Sequence, residues 1–489
     1  MPKFPLTHRL RAVAGRPFRT AMVRSRRRFL QAAEHSCRET QRQTLQRLLR
    51  LNSGSRFFRD YGLRESLTID EFRSALPICD YDTFHPYIEQ MRQGRHSALL
   101  GRHNQLLMYA LTSGTTSASK YIPVTSEFLK CYRRGWQHWG ITVHEQNPRL
   151  KLLRMVQLTS GHRLSLAPDG TPQGSISGLV TAMQSPIVRR MYSIPAAVAG
   201  IRGPTARRYA QVRFALEDPW VGMLVTANPA TLLQISEFAD AHAEELIRDI
   251  RNGSLQGTPA EITSSESKAL SRWLRPNLQR SQDLERIIGE SGSLKPTACW
   301  PELQCLGVWT GGSAAAYLPE LRDRFGSVPL HDHGLHASEG RMTIPLTPGT
   351  SAGLPDITSH FFEFLPAESV TATDGISSGQ KEPAALLDLP PHDVAYGRTL
   401  LADELETGRE YFVLMTTASG LYRYNIRDVV RCTGFYGSSP LLEFLHKGAH
   451  VSSITGEKIS ESQVVTSVTR AAAECDLSVS LFTLTPRWG

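Results

Sequence analysis

Between residues 105 and 310 the chain alternates short apolar runs with amphipathic helical stretches, and this alternation restricts its fold more than any other feature. Residues 105–111 read as a buried strand, and 127–140 as a helix with Phe128, Tyr132, Trp136 and Trp139 along one side. Residues 151–158 are strand-like, 230–251 and 266–290 helical, and 303–310 form a strand that runs into Gly311 and Gly312. Strands separated by helices call for crossover connections, so the pattern predicts an α/β sheet covered by helices. Upstream, 29–51 read as helix, with Leu45, Leu48 and Leu49 on one face beside Arg47 and Arg50, ended near Gly54. From residue 411 the texture changes to short strands, "YFVLMTT", "LYRYNI", "VVRCTGF" and "LLEFL", separated by tight turns as in a β-meander. No internal repeat is present, and 374–395 read as an exposed loop.

A chain of 489 residues has room for two or three domains. It lacks an apolar run of eighteen or more residues, so no membrane span is expected. Its seven cysteines are scattered without a CxxC pair, which argues for a reducing compartment and against a disulfide framework or a cysteine zinc site. The net charge of +9 is concentrated at the start: residues 1–60 hold 15 Lys and Arg against 3 Asp and Glu. Such an arm can meet nucleic acid or acidic lipid, or be only a solvated helix face. No aromatic-interleaved basic repeat or finger spacing accompanies it, so nucleic acid is not an expected partner. "SRRRFLQ" (Ser25 to Gln31) looks like a twin-arginine signal, but the polar "AAEHSCRETQRQ" follows where an apolar stretch is needed. The expected location is the cytoplasm.

The segment "LTSGTTSASKYIPVT" carries the first chemical signal. Thr112, Ser113, Thr115, Thr116, Ser117 and Ser119 surround Gly114, and Lys120 follows. The template GxxxxGK(S/T) is not met, and Pro123 forbids an early helix. Hydroxyl donors with open backbone N–H groups nevertheless make an anion site without a helix terminus. A plain Ser/Thr/Gly surface loop is the competing reading.

"TSGTTSASKYIP" resembles the phosphate loop of adenylate-forming enzymes, most closely that of the auxin-responsive acyl acid–amido synthetases, the plant Gretchen Hagen family with its bacterial relatives. Further motifs follow in the family's order: "PICDYDTFHPYIEQMRQG" (Pro77 to Gly94), "WPELQCLGVWTGG" (Trp300 to Gly312), "HASEG" (His336 to Gly340), "FFEFLP" (Phe361 to Pro366) and "GLYRYNIRDVV" (Gly420 to Val430). "SITGEKISE" (Ser453 to Glu461) resembles the start of the family's mobile C-terminal domain.

The resemblance implies an α/β protein of the acyl-CoA synthetase and luciferase-like fold. Its large N-terminal domain of stacked α/β subdomains plus a small β-barrel would cover 1–430, with the basic arm at 1–28. A partial C-terminal α/β domain would cover 431–489. It also implies a monomer that adenylates a carboxylic acid with ATP and Mg²⁺ and passes the acyl group to an amine, typically of an amino acid. Two alternatives remain: a ligase of the same fold that acylates coenzyme A, and a catalytically impaired adenylate binder. Ser113, Gly114, Thr115, Thr116 and Ser117 would hold phosphates, with Lys120 as a nearby catalytic cation. Ser338 and Glu339 belong to the second nucleotide motif, and Glu339 would hold Mg²⁺, since a hard cation takes carboxylate oxygen; a solvated acid at a strand end is the alternative. Asp428 would accept the ribose hydroxyls, unless it is ion-paired with Arg423 or Arg427. Gly311 and Gly312 would let backbone approach the adenine edge, or form a strand-end turn.

The histidines of "HDHGLH" (His331, His333, His336) have spacings that suit zinc, but a third donor is unsupported and ring packing is preferred. "GSISG" (Gly174 to Gly178) is either a second anion loop or part of the acyl-pocket wall. Departures from the family are Leu335 in place of an aromatic residue, Arg427 in place of a glycine, and Lys447 in place of an arginine. After Glu461 little more than a strand and a helix remains, so the lysine that the family carries near its C-terminus has no counterpart, and Lys458 lies too early. That shortness predicts slow adenylation with nucleotide binding retained.

Overall fold

The computed structural model describes residues 4–112, 120–158, 163–184, 186–258, 262–369, 399–448, 451–452, 459–475 and 477. The expected alternation produces a parallel sheet of four strands, in the order Arg154–Gln157, Val221–Val225, Cys305–Val308 and Leu330–Asp332. All five residues of Val221–Val225 are buried, as a strand covered on both faces requires. Helices Pro204–Glu217, Pro229–Ala241 and Leu318–Phe325 pack on this sheet, and Tyr209, Leu232, Leu233 and Phe325 share one core with Val221 and Leu224.

A second sheet has the order Lys120–Thr125, Leu106–Thr112, Pro172–Gly174 and Ser165–Leu166. Its first two strands run antiparallel with Thr112 opposite Lys120, so the Ser/Thr/Gly segment is bracketed by a strand pair as expected. Thr125 then caps helix Ser126–Gln146, its hydroxyl accepting from the Phe128 amide at 3.2 Å.

The third sheet is antiparallel and six-stranded, in the order Thr343–Pro345, Gly353–Pro355, Ser439–Lys447, Tyr424–Tyr436, Glu410–Thr416 and Phe361–Pro366. "LYRYNI" and "VVRCTGF", read as two strands, form the single strand Tyr424–Tyr436. Register shifts at Val429/Val430 and Cys432/Gly434 bend it instead of breaking it. Tyr424, Ile426, Asp428, Val430 and Cys432 are all buried, with Val429 buried as well at the first register shift, so the division expected at residue 430 falls inside a strand, and the sheet continues to Lys447. The return turn depends on Gly437, whose φ is +59° and whose Cβ, if present, would stand 2.1 Å from the Glu34 carbonyl oxygen.

Three helices differ from expectation, and the one read over 230–251 separates at His242 into Pro229–Ala241 and Ala243–Asn252. The helix read over 29–51 is split at Ser36, which leaves helical geometry at φ −147° between Arg16–His35 and Cys37–Leu51. Its hydroxyl bonds back to the Ala32 carbonyl at 3.4 Å, the local competition that makes serine a helix-end residue. The helix read over 266–290 separates into Ser264–Leu270 and Leu278–Ser291, with Pro276 between them.

Candidate functional site

Two of the motifs lie at the carboxyl ends of neighbouring parallel strands, where open α/β sheets place their ligands. Cys305–Val308 leads to Gly311 and Gly312, and Leu330–Asp332 leads to the segment ending at Glu339. Asp332 stitches these loops together. Its Oδ2 accepts from the Thr310 amide and hydroxyl, each at 2.6 Å, and its Oδ1 from the Gly334 amide at 2.5 Å. Burial raises its pKa against the pull of those donors. Gly312 takes φ +57° and begins a 3₁₀ turn; a Cβ there would meet the Phe444 ring at 2.8 Å. Trp309 packs on the same ring, with centroids 5.2 Å apart. The glycine pair thus presses the parallel-sheet loop against strand Ser439–Lys447 of the antiparallel sheet.

That strand pair supplies the charged part. Ser338 and Glu339 form the two-residue turn between His336–Ala337 and Gly340–Arg341; Ser338 is half-buried and Glu339 buried. Asp428 is 2% exposed and lies opposite Lys447 in the strand register, with the Lys447 ammonium donating to its Oδ1. Burial raises the pKa of both carboxyls. For Glu339 the charge of Asp428 adds to the rise, while Lys447 and Lys120 oppose it. For Asp428 the opposing group is Lys447. Lys120, at the start of its strand, is pushed down by burial and by Arg427, and held up by Glu339, Asp82 and Asp80. Its ammonium stands 5.3 Å from the centre of the Tyr81 ring. Three separate motifs therefore contribute to one group of interacting charges, in which Glu339 and Asp428 are buried and Lys120 is half-buried.

Asp428 is not paired with Arg423 or Arg427, the alternative raised from sequence. Arg423 turns the other way and donates to Glu363 at 3.1 Å. Arg427 sits at φ +61°, where a non-glycine residue is strained, which explains physically why a glycine suits this position. Its amide donates to Asn425 Oδ1 at 2.8 Å, and its charge is felt by Lys120 and Tyr424.

Ser113, Gly114, Thr115, Thr116 and Ser117 lie outside the described residues, as does Lys458. The "GSISG" segment comes next to the strand that enters the loop: Gly174 pairs with Ala110, and the Ser175 and Ser177 hydroxyls are 2.7 Å apart. The histidines diverge. His331 Nε2 meets the Asn147 side chain at 3.1 Å, whereas His336 Nδ1 meets the Gly334 carbonyl at 3.0 Å. His333 and His336 pack their rings on Trp136 at 5.1 and 5.8 Å, and burial pushes His336 down to about 4. Sequence reasoning passed over Tyr424, Asp332 and Arg341. Arg341 is fully buried with its guanidinium 4.3 Å from the centre of the Trp136 ring. All three stand inside or beside quoted motifs, but no spacing singled them out.

Comparison with known proteins agrees with this arrangement. The sequence model of the GH3 family N-terminal domain matches residues 26–330, and that of the GH3 family central domain matches residues 353–447. A jasmonoyl–L-amino acid synthetase of Oryza sativa subsp. japonica is 26% identical over 462 residues, covering 88% of this chain and 74% of the relative. An indole-3-acetic acid-amido synthetase of Arabidopsis thaliana is 27% identical over 457 residues, covering 88% and 72%. Among solved structures, the GH3.15 acyl acid amido synthetase has a similar fold, with a TM-score of 0.76 at 21% identity over 91% of this chain and 74% of the other.

Proposed function

The chain belongs to the GH3 family, and from that premise we propose that it is an ATP-dependent acyl acid–amido synthetase. In this reading it adenylates a carboxylic acid, releasing pyrophosphate, and transfers the acyl group to the amine of an amino acid with loss of AMP. The observation that carries the proposal is that Lys120, Glu339 and Asp428, from three motifs, interact as one charged group beside the loop that follows the parallel strand Leu330–Asp332.

Each residue has a role its environment supports. Asp428, buried with a single lysine partner, would accept the two ribose hydroxyls of ATP. Glu339, raised by burial and by the neighbouring Asp428 charge, is where a hard divalent cation would relieve carboxylate repulsion, so Mg²⁺ arriving with ATP fits there. Lys120, poorly solvated and close to Glu339, would neutralise charge growing on the phosphates, helped by donors of 113–117. Ser338 belongs to the same nucleotide turn, and Gly311 and Gly312 would shape the wall beside the base.

The test is a screen of carboxylic acids for ATP-dependent pyrophosphate release, with and without mixed amino acids. The expected result is acid-dependent release that rises with amine and gives an amide. Turnover that requires a thiol instead would assign the chain to the coenzyme A ligases of this fold. Tight ATP binding without any release would make it a non-catalytic adenylate binder.

A further inference from the structure

The N-terminal arm has no part in the nucleotide site, yet its first helix is fixed to the body of the protein. In helix Leu6–Ala14, His8 Nδ1 meets the Leu152 carbonyl at 2.8 Å. Arg11 Nη2 donates to the Leu152 and Leu153 carbonyls at 3.0 and 2.9 Å. Just before the helix, Phe4 packs on Trp220 with ring centres 5.1 Å apart. His8 and Ala12 are the buried face. At one hundred degrees per residue the opposite face presents Leu6, Leu10 and Val13, which are 70%, 59% and 54% exposed. Phe18, in the next helix Arg16–His35, is 43% exposed as well.

This stripe is set in positive charge. Arg9 and Arg16 flank it, Arg24, Arg27 and Arg28 are exposed along the following helix, and no acidic residue precedes Glu34. A merely solvated basic face accounts for the arginines but not for three large aliphatic side chains held outward in a row. Nucleic acid accounts for the charge but gives the leucines nothing to enter. Among the described residues no helix is long and apolar enough to cross a membrane, so the stripe has no spanning role.

We propose that the outer face of helix Leu6–Ala14 docks the protein on an anionic phospholipid surface. The stripe enters the boundary between headgroups and acyl chains, and the arginines lie against lipid phosphates. Because the opposite face is bonded to the strand-entry segment 152–153, docking holds the whole catalytic body beside the membrane, where an amphipathic carboxylic acid concentrates.

The experiment is flotation of the full chain with vesicles of phosphatidylcholine alone and of phosphatidylcholine with phosphatidylglycerol. The protein is expected to float with the mixed vesicles at low salt, to stay behind with the neutral ones, and to be released as salt rises. The variant L6S/L10S/V13S is expected to partition about tenfold less well, with unchanged circular dichroism and thermal midpoint. R9S/R16S is expected to lose the preference for phosphatidylglycerol. Absence of flotation, equal flotation of L6S/L10S/V13S, binding to a DNA duplex in place of vesicles, or dimerisation through the stripe without flotation would each overturn the proposal.

Discussion

Replacing Asp428 by Asn tests the ribose assignment at its most exposed point. Asp428 is 2% exposed, and its Lys447 partner keeps 46% of its side chain in solvent. Loss of the carboxylate leaves that ammonium free to move into water, so no buried cation is orphaned. Burial already disfavours the Asp428 charge, as its raised pKa records, and a neutral amide avoids that cost. Folding stability is therefore expected to change by less than about 1 kcal/mol. Ligand binding is a different matter. A carboxylate accepts from both ribose hydroxyls with charge assistance, whereas the amide keeps one neutral acceptor. A bond to a charged group contributes about 1.5–3 kcal/mol against roughly 1 for a neutral one. The expected loss is about 2–3 kcal/mol, or roughly 30- to 150-fold in dissociation constant. Calorimetry with ATP, AMP, adenosine and adenine separates the possibilities. The first three share the ribose and should weaken alike, while adenine should be unaffected. Unchanged adenosine binding would remove Asp428 from the site; equal weakening of adenine would show a distorted pocket instead of a lost contact.

Three more expectations follow from the same geometry. Arg427→Gly should be more stable than Arg427→Ala by about 1 kcal/mol in urea titration, because only glycine takes φ +61° without strain; equal stabilities would refute the strain argument. Glu363→Ala should destabilise by about 3–5 kcal/mol, since it removes the buried carboxylate to which Arg423 and Arg73 now donate at 3.1 and 2.9 Å. Burial alone would raise Glu363, but Arg423 and Arg73 outweigh it and hold its pKa below the ordinary value. Its contribution is thus complete above the unfolded pKa of about 4.3 and disappears as pH falls through the lower folded value, a loss that acid titration of Glu363→Gln should lack. Glu339 has the opposite sign: its folded pKa is raised, so its stabilising contribution is complete below the unfolded value and lost as pH rises through the folded one. Mg²⁺-dependent strengthening of ATP binding should accordingly fade on acidification at a pH above the usual glutamate range, and Glu339→Gln should abolish it.

Motif positions were legible where they belong to a locally determined element. The strand before Gly311 and the strand after Lys120 are set by apolar runs within a few positions, whereas Glu339 was reached only through the resemblance of "HASEG" to the family's second motif. Pairings were not legible. Asp428 meets Lys447 across a hairpin whose two register shifts cancel, so the pairing rests on the exact position of the turn and not on any pattern around either residue. Glu363 collects Arg73 and Arg423 from segments 290 and 60 residues away, so the choice of Arg423's partner was beyond sequence spacing. The breaks at Ser36 and Pro276 were in plain view as residue types, but helical periodicity on both sides concealed them.

The segment Pro77–Gly94 shows how the separate pieces are held in one geometry. Cys79 pairs with the start of the Asp428 strand: its amide donates to the Arg423 carbonyl at 3.0 Å, and its own carbonyl accepts from the Asn425 amide at 2.8 Å. The next residue, Asp80, caps helix Tyr81–Arg92 by accepting from the Thr83 amide at 3.1 Å. One position further, the Tyr81 hydroxyl accepts from the Tyr121 amide at 2.9 Å, beside Lys120. Three consecutive residues therefore span from the strand of Asp428 to the strand of Lys120. The Arg423 guanidinium, bonded to the Arg73 carbonyl at 3.0 Å, fastens the helix Ile69–Ala75 that leads into this segment. The distance between the proposed ribose and phosphate contacts is thus fixed by a short rigid strut, not by the mutual attraction of Lys120 and Glu339. A binding site for a small, invariant ligand such as a nucleotide needs that kind of preorganisation, because its contacts must be in place before the ligand arrives.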